Sequence, residues 1–151
     1  MSRVAKRSAQ DLSARLISAA FLIPVALIAV WQGGIWLALG CVIFSLAMGY
    51  EWVRMSASPL MKVFLPLAII PILITAVIGP LFGLVAVVFC AALAGGLHPL
   101  VDKRFQSAIG LAYVAVMPLA LYLLRDGPWE GVAAALIIMS LVWGSDTAAY
   151  F

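Results

Sequence analysis

The side chains best suited to chemistry lie close together near the end of the chain, in the stretch LVWGSDTAAYF at residues 141–151. Asp146 is a carboxylate within an apolar run, and Ser145 and Thr147 place hydroxyls beside it. On a helix, Asp146 and Tyr150 would share one face because they are four residues apart. This group suits a polar headgroup, a cation or a phosphate-bound metal, and the four residues alone do not choose among these ligands.

Composition defines the environment of these residues. The chain is 66% hydrophobic and only 10% charged, whereas a soluble domain has about 45–50% apolar and about 25% charged residues. This excludes a water-soluble domain and predicts a membrane protein.

The net charge of +3 does not indicate a nucleic-acid partner, because the basic residues lie at the ends of apolar runs, where membrane topology requires them. Cys41 and Cys90 lie inside apolar runs and predict neither a metal site nor a disulfide.

The fold predicted is an all-α, polytopic membrane helix bundle. Backbone polar groups have no partner in lipid outside a helix, so each long apolar run is expected to be helical. Six runs are visible: residues 16–31, 35–50, 60–78, 81–97, 108–124 and 132–151. They are separated by the breaks QGG, SASP, GP, HP and DGP. We therefore expect about six transmembrane helices over residues 15–151, preceded by a cytoplasmic tail at residues 1–14.

The basic residues predict an orientation for this bundle. The tail and the second and fourth loop regions hold eight of the nine basic residues, while the first and third loops hold no charge. The exception is Arg125, which lies in the fifth loop between Asp126 and Glu130. Cytoplasmic loops carry an excess of Lys and Arg, so the N-terminus and the even-numbered loops are expected in the cytoplasm.

This orientation predicts how deep Asp146 lies in the membrane. Counted from Val132, it lies ~21 Å along a helix that enters from outside, in the cytoplasmic third of the membrane. A carboxylate at that depth costs a few kcal/mol to insert, so we expect it to face a polar cavity, a partner or an ion. The alternative is a helix that ends early and leaves Asp146 at the interface.

Three other residues are candidates for a functional role. Glu51 lies three residues before Arg54 and predicts an interfacial ion pair, with an acid beside the mouth of the Asp146 site as the functional alternative. Arg15 lies at an expected interface, where it could contact anionic lipid phosphate. His98 precedes Pro99 in a loop and is expected to be solvated or interfacial. The sequence contains no P-loop, GxGxxG, HExxH or Ser/His/Asp set.

Several stretches together resemble one family. RLISAAFLIPVAL at residues 15–27, GYEWVRM at 49–55 and LVWGSDTAAYF at 141–151 occur in the order found in phosphatidate cytidylyltransferase, also called CDP-diacylglycerol synthase. The weaker AIGLAYVAVMPLALYLLR at 108–125 fits the same order. The last of the three motifs is the most specific. The chain thus resembles the N-terminal portion of that family.

The resemblance implies transfer of a cytidylyl group from CTP to phosphatidate, with Mg²⁺ as cofactor, in the inner membrane of a bacterium. It implies that Asp146 anchors the catalytic and metal site and that Ser145, Thr147 and Tyr150 support substrate binding. Arg15 would contact lipid phosphate. The family's later elements, S-P-x-K-T, K-D, H-G-G and D-R-x-D, do not occur in this sequence. The chain is therefore expected to be a truncated N-terminal portion that is inactive alone.

The partners implied are phosphatidate, CTP and membrane lipids, and no nucleic acid. A homodimer is a further possible partner arrangement. Two interpretations from other classes remain open on the residues alone. One is a six-helix substrate-binding or transport component, which direct ligand binding by the chain would support. The other is a structural membrane subunit, in which Asp146 would pair with a partner helix.

Overall fold

The computed structural model describes residues 21–125 and 129–148, and all the regular secondary structure in this part of the chain is helical. A short 3-10 turn, Val101–Lys103, leads into the fifth helix. The helices are α1, described over Phe21–Gln32, α2 Gly34–Met55, α3 Met61–Val77, α4 Pro80–Gly96, α5 Arg104–Leu124 and α6 Trp129–Ala148. The prediction of an all-α fold is confirmed.

Length and composition fit a membrane bundle. Two helical stretches, Gly34–Met55 and Val101–Leu124, are long and apolar enough to cross a membrane, and the remaining helices are shorter but also apolar. Large apolar side chains also cover the outside of the bundle, among them Ile43, Val88 and Phe89. With few charges in the chain, such a surface is suited to contact with lipid.

Glycine and proline separate the helices where the sequence indicated. Gly33, between α1 and α2, has φ +66°, and Gly79, between α3 and α4, has φ +131°. Residues with a Cβ rarely adopt these left-handed conformations, so both turns depend on glycine. Pro80 then occupies the first turn of α4, where its missing N–H breaks no helical hydrogen bond.

The centre of the bundle is a core shared by four helices. Val53 of α2, Phe64 of α3, Cys90 of α4 and Leu111 of α5 are each no more than 2% exposed and pack in one cluster. A second cluster joins α1, α2, α3 and α6. The buried α6 residues in this cluster, Val132 and Ala135, both lie in the first half of that helix. Both cysteines are free and buried, as small core residues.

Buried hydroxyls connect neighbouring helices. Ser45 Oγ on α2 donates to the carbonyl oxygen of Ala68 on α3 at 3.0 Å. Ser107 Oγ on α5 donates to the carbonyl oxygen of Ala94 on α4 at 3.1 Å. Apolar burial does not favour helix association within lipid, so such interhelical hydrogen bonds and close packing hold the helices together.

The loops alternate between two ends of the bundle. Lys103, in the fourth loop, donates to the carbonyl oxygen of Ser56 in the second loop at 3.4 Å. At the opposite end, Arg125 after α5 donates to the carbonyl oxygen of Val30 in α1 at 2.8 Å. The end of the bundle that holds Lys103 and Ser56 is called the basic end. It lies where α2 and α4 end and where α3 and α5 begin. This alternation is the arrangement that the loop charges predicted, and placing the basic end in the cytoplasm remains a prediction.

Candidate functional site

The predicted site lies on the last turns of α6. Trp129, at the start of α6, packs edge-on against Trp31 with ring centroids 5.6 Å apart, which places this end of α6 beside the end of α1. The helix continues to Ala148, two residues past Asp146. At ~1.5 Å per residue, Asp146 lies ~26 Å along the helix from Trp129, and therefore toward the basic end. The helix does not end before Asp146, and the depth of Asp146 in the membrane remains a prediction.

The far half of α6 is open on the surface of the described bundle. Leu141 and Val142 are exposed, and so is Ser145. The Ser145 hydroxyl donates to the Val142 carbonyl oxygen of its own helix at 2.8 Å. Within the described part of the chain, this hydroxyl bonds to no neighbouring helix, and its oxygen lone pairs remain available to a ligand.

Other members of the predicted site fall outside what the structure describes. Asp146 and Thr147 have helical backbone in α6, but their side chains lie outside the described atoms. Tyr150 and Arg15 lie outside the described residues altogether. The roles predicted for these four residues therefore stay predictions.

The end of α2 presents acid, base and aromatic groups at the basic end. Glu51 and Arg54 are both exposed there. Trp52, between them, is half-buried and turns toward α5. Its indole lies against Gly110, where an added Cβ would collide with the ring, and its centroid is 6.4 Å from that of Tyr113. Trp52 therefore packs α2 against α5.

A polar cleft opens beside Trp52 at the basic end, and the sequence did not predict it. The second and fourth loops and the start of α5 form most of its walls, with one side chain each from α2 and α3. Its lining residues are Trp52, Ser56, Ser58, Phe64, His98, Lys103, Gln106 and Ser107. Ala57, in the second loop, adopts φ +48°, a conformation that is uncommon for residues other than glycine. This cleft is the second candidate site.

His98 is the most buried polar side chain of the polar cleft. It is only 2% exposed, so the expectation of a solvated histidine is wrong. Its Nδ1 lies 3.2 Å from the backbone nitrogen of Leu100, which donates to it. Its carbonyl oxygen accepts a hydrogen bond from Arg104 Nε at 3.3 Å. The dipeptide His-Pro indicates only a loop, and burial comes from the chain folding back on itself.

The described residues do not by themselves form a metal centre. Across residues 21–125 and 129–148, no three His, Cys, Asp or Glu side chains cluster closely enough to hold a metal ion. Carboxylates and water are the usual ligands of Mg²⁺. The predicted Mg²⁺ site is therefore untested by this part of the chain, and Asp146 remains its one proposed ligand.

Comparison with known proteins defines the class of the chain. A family model described as the Cytidylyltransferase family matches residues 13–151. The chain belongs to this family, and the resemblance inferred from the three motifs is confirmed at that level. The binding, transport and structural-subunit alternatives are not favoured by this match.

Curated relatives carry a more specific name. The phosphatidate cytidylyltransferases of Brucella suis biovar 1 and Brucella melitensis biotype 1 are each 31% identical to the chain over 146 residues. That of Brucella abortus biovar 1 is 30% identical over 146 residues. These alignments cover 93% of the chain and 54% of each relative. The chain thus spans about half the length of the curated relatives it matches. No solved structure matches it.

Proposed function

We propose that this chain supplies the membrane-helix portion of a phosphatidate cytidylyltransferase. In the proposed reaction, a phosphate oxygen of phosphatidate attacks the α-phosphorus of CTP. A new P–O bond forms, the bond to the β-phosphate breaks, and diphosphate leaves with CDP-diacylglycerol as the other product. The observation that carries the proposal is the family match over residues 13–151, together with 31% identity to relatives of that name.

Within this proposal, the α6 end provides polar contacts to the reacting groups. The Asp146 carboxylate would hold the metal-bound nucleotide or orient another ligand of the metal. The Ser145 hydroxyl, exposed and bonded only within α6, would bind substrate oxygen, with Thr147 and Tyr150 beside it. Arg15 would contact the lipid phosphate. Bound Mg²⁺ would neutralise charge on the triphosphate.

The proposed setting is the inner membrane of a bacterium, with the basic end in the cytoplasm. CTP is dissolved in the cytoplasm and phosphatidate lies in the membrane, so the two substrates can meet only at a membrane surface. The basic loops at this end would also attract anionic lipids, by about 1 kcal/mol per basic residue near the surface. Membrane lipids are thus proposed partners, and a homodimer remains an untested prediction.

The test is a CTP-dependent assay of the protein expressed from its own gene through the native stop codon, in membranes lacking other cytidylyltransferase activity. We expect conversion of phosphatidate to CDP-diacylglycerol. Asp146→Asn should lower turnover at least about 100-fold, because electrostatic groups at the reacting centre contribute on that scale. Ser140→Ala is the matched control, since Ser140 is exposed on the same helix and bonds only to Leu136. Absence of conversion would reject the function, whereas unchanged turnover in Asp146→Asn would reject only the role of that residue.

A further inference from the structure

Three side chains that line the polar cleft, those of His98, Lys103 and Ser58, can form hydrogen bonds beyond those they already make. The amide hydrogen of Leu100 points at His98 Nδ1 over 3.2 Å, although the Leu100 carbonyl oxygen lies at the same distance. In the tautomer whose Nδ1 accepts this amide, the ring proton lies on Nε2.

The Nε2–H group opens into the polar cleft. His98 Nε2 has no hydrogen-bond partner among residues 21–125 and 129–148. Yet the same residues contain no fully buried side-chain nitrogen or oxygen without a partner. Nε2 must therefore keep some open surface, and His98 is one of the residues lining the cleft. A donor on a side chain that is 98% buried is thus presented to whatever enters the cleft.

Lys103 adds a positive charge to the same cleft. Its ammonium group donates to the Ser56 carbonyl oxygen at 3.4 Å, and an ammonium group carries three donors. Ser58 Oγ accepts the amide of Leu60 at 3.3 Å, which leaves its hydroxyl hydrogen for another acceptor. The lining includes no Asp or Glu. Asp102, next to Lys103 in the chain, is exposed and is not part of the lining.

We propose that the polar cleft binds a phosphate group, with one of its oxygens between His98 and Lys103. A cationic amine, an imidazole and a hydroxyl all line this cleft, and a phosphate has several acceptor oxygens pointing in different directions. The base of the cleft has room for about one water-sized group. One oxygen would therefore enter while the rest of the phosphate stays at the mouth. The source is a lipid headgroup or a dissolved phosphate, since both reach this end of the bundle.

The experiment uses the single histidine of the chain. With ¹⁵N-labelled histidine, imidazole NMR of the full chain in phosphatidylcholine nanodiscs observes His98 alone. Four samples are compared: one with inorganic phosphate, one with phosphatidate in the nanodisc, one with oleate as an anionic lipid without phosphate, and one with no addition. We expect the Nε2 signal to move saturably with a phosphate source and not with oleate. A shift with phosphatidate alone identifies a headgroup site, and a shift with inorganic phosphate identifies a site for dissolved phosphate as well.

Variants separate the cleft from general surface charge. Lys103→Gln should weaken the apparent affinity about tenfold or more, because one charge-assisted hydrogen bond is lost. Lys103→Arg should keep the response, and an unchanged His98 signal without ligand will show that the cleft is intact. Lys62→Gln is the matched control, since Lys62 is an exposed lysine at the same end. The proposal is overturned if no phosphate source shifts the signal, if oleate acts equally, or if both glutamine variants respond alike. It requires no turnover, so its failure and that of the proposed function are distinguishable.

Discussion

The guanidinium of Arg125 donates to the carbonyl oxygen of Val30 at 2.8 Å, joining residues that are 95 positions apart. It also donates to the carbonyl oxygen of Trp31 at 3.0 Å. These carbonyls belong to the last turn of α1, where helical hydrogen-bond partners are missing and the helix dipole favours a positive charge. Arg125 was the one basic residue outside the predicted cytoplasmic loops, and this contact gives it a structural role in capping α1.

Replacing Arg125 is therefore expected to destabilise the bundle. Arg125→Met should lower the free energy of unfolding by about 1–3 kcal/mol, because it leaves helix-end carbonyls without their donor. Arg125→Lys should recover only part of the loss, since an ammonium lacks the planar fork that reaches two carbonyls. Unfolding in mixed SDS and detergent micelles measures both. Arg54→Met is the control at the exposed end of α2, and an equal loss there would show that charge removal alone is responsible.

Two adjacent glycines at the end of α4 should respond differently to alanine. A Cβ on Gly95 would lie 2.9 Å from the Arg104 carbonyl oxygen and 3.1 Å from the Ala108 Cβ, whereas a Cβ on Gly96 would have nothing within 4 Å. Gly95→Ala must push α4 from α5 and should cost about 1–3 kcal/mol. Gly96→Ala should be neutral or slightly stabilising. Thermal unfolding in detergent compares them, and equal midpoints would contradict the close α4–α5 packing described above.

The hydroxyl of Ser45 should contribute measurably to the α2–α3 contact. Ser45 is 0% exposed and bonds across to α3, so Ser45→Ala should lower the unfolding free energy by about 0.6 kcal/mol, the typical value for such bonds in membranes. Ser140→Ala removes an exposed hydroxyl that bonds within its own helix. It should leave the unfolding free energy unchanged. If the two variants unfold alike, the interhelical bond does not stabilise the bundle.

Most helix positions could be predicted from the sequence because lipid burial requires long apolar runs. The predicted run at residues 81–97 corresponds to Pro80–Gly96, and the run at 60–78 to Met61–Val77. The observed helix boundaries differ from the predicted ones where polar residues extend a helix beyond its apolar part. Thus α2 runs to Met55 instead of residue 50, and α5 begins at Arg104 instead of residue 108. Hydropathy marks the lipid-buried part of a helix and does not mark its hydrogen-bonded ends.

The candidate sites could be predicted only in part. Asp146 was visible because a carboxylate in an apolar run is costly, whatever surrounds it. The polar cleft was not visible, since it depends on contacts between distant segments. Lys103 and Ser56, for example, are 47 residues apart, and each looks like an ordinary loop residue. The burial of His98 likewise comes from the folding of the fourth loop, which leaves no periodic pattern in the sequence.

The orientation of the bundle can be tested by labelling cysteines at its two ends. Gln32, the last residue of α1, and Asp102, at the basic end, are both exposed. The native Cys41 and Cys90 are buried. Cytoplasmic loops are enriched in Lys and Arg, so the basic end should face the cytoplasm. In intact spheroplasts, a membrane-impermeant maleimide should therefore label Gln32→Cys and not Asp102→Cys. In inside-out vesicles the pattern should reverse. Labelling of Asp102→Cys in intact spheroplasts would show the opposite orientation and would place the Asp146 end away from cytoplasmic CTP.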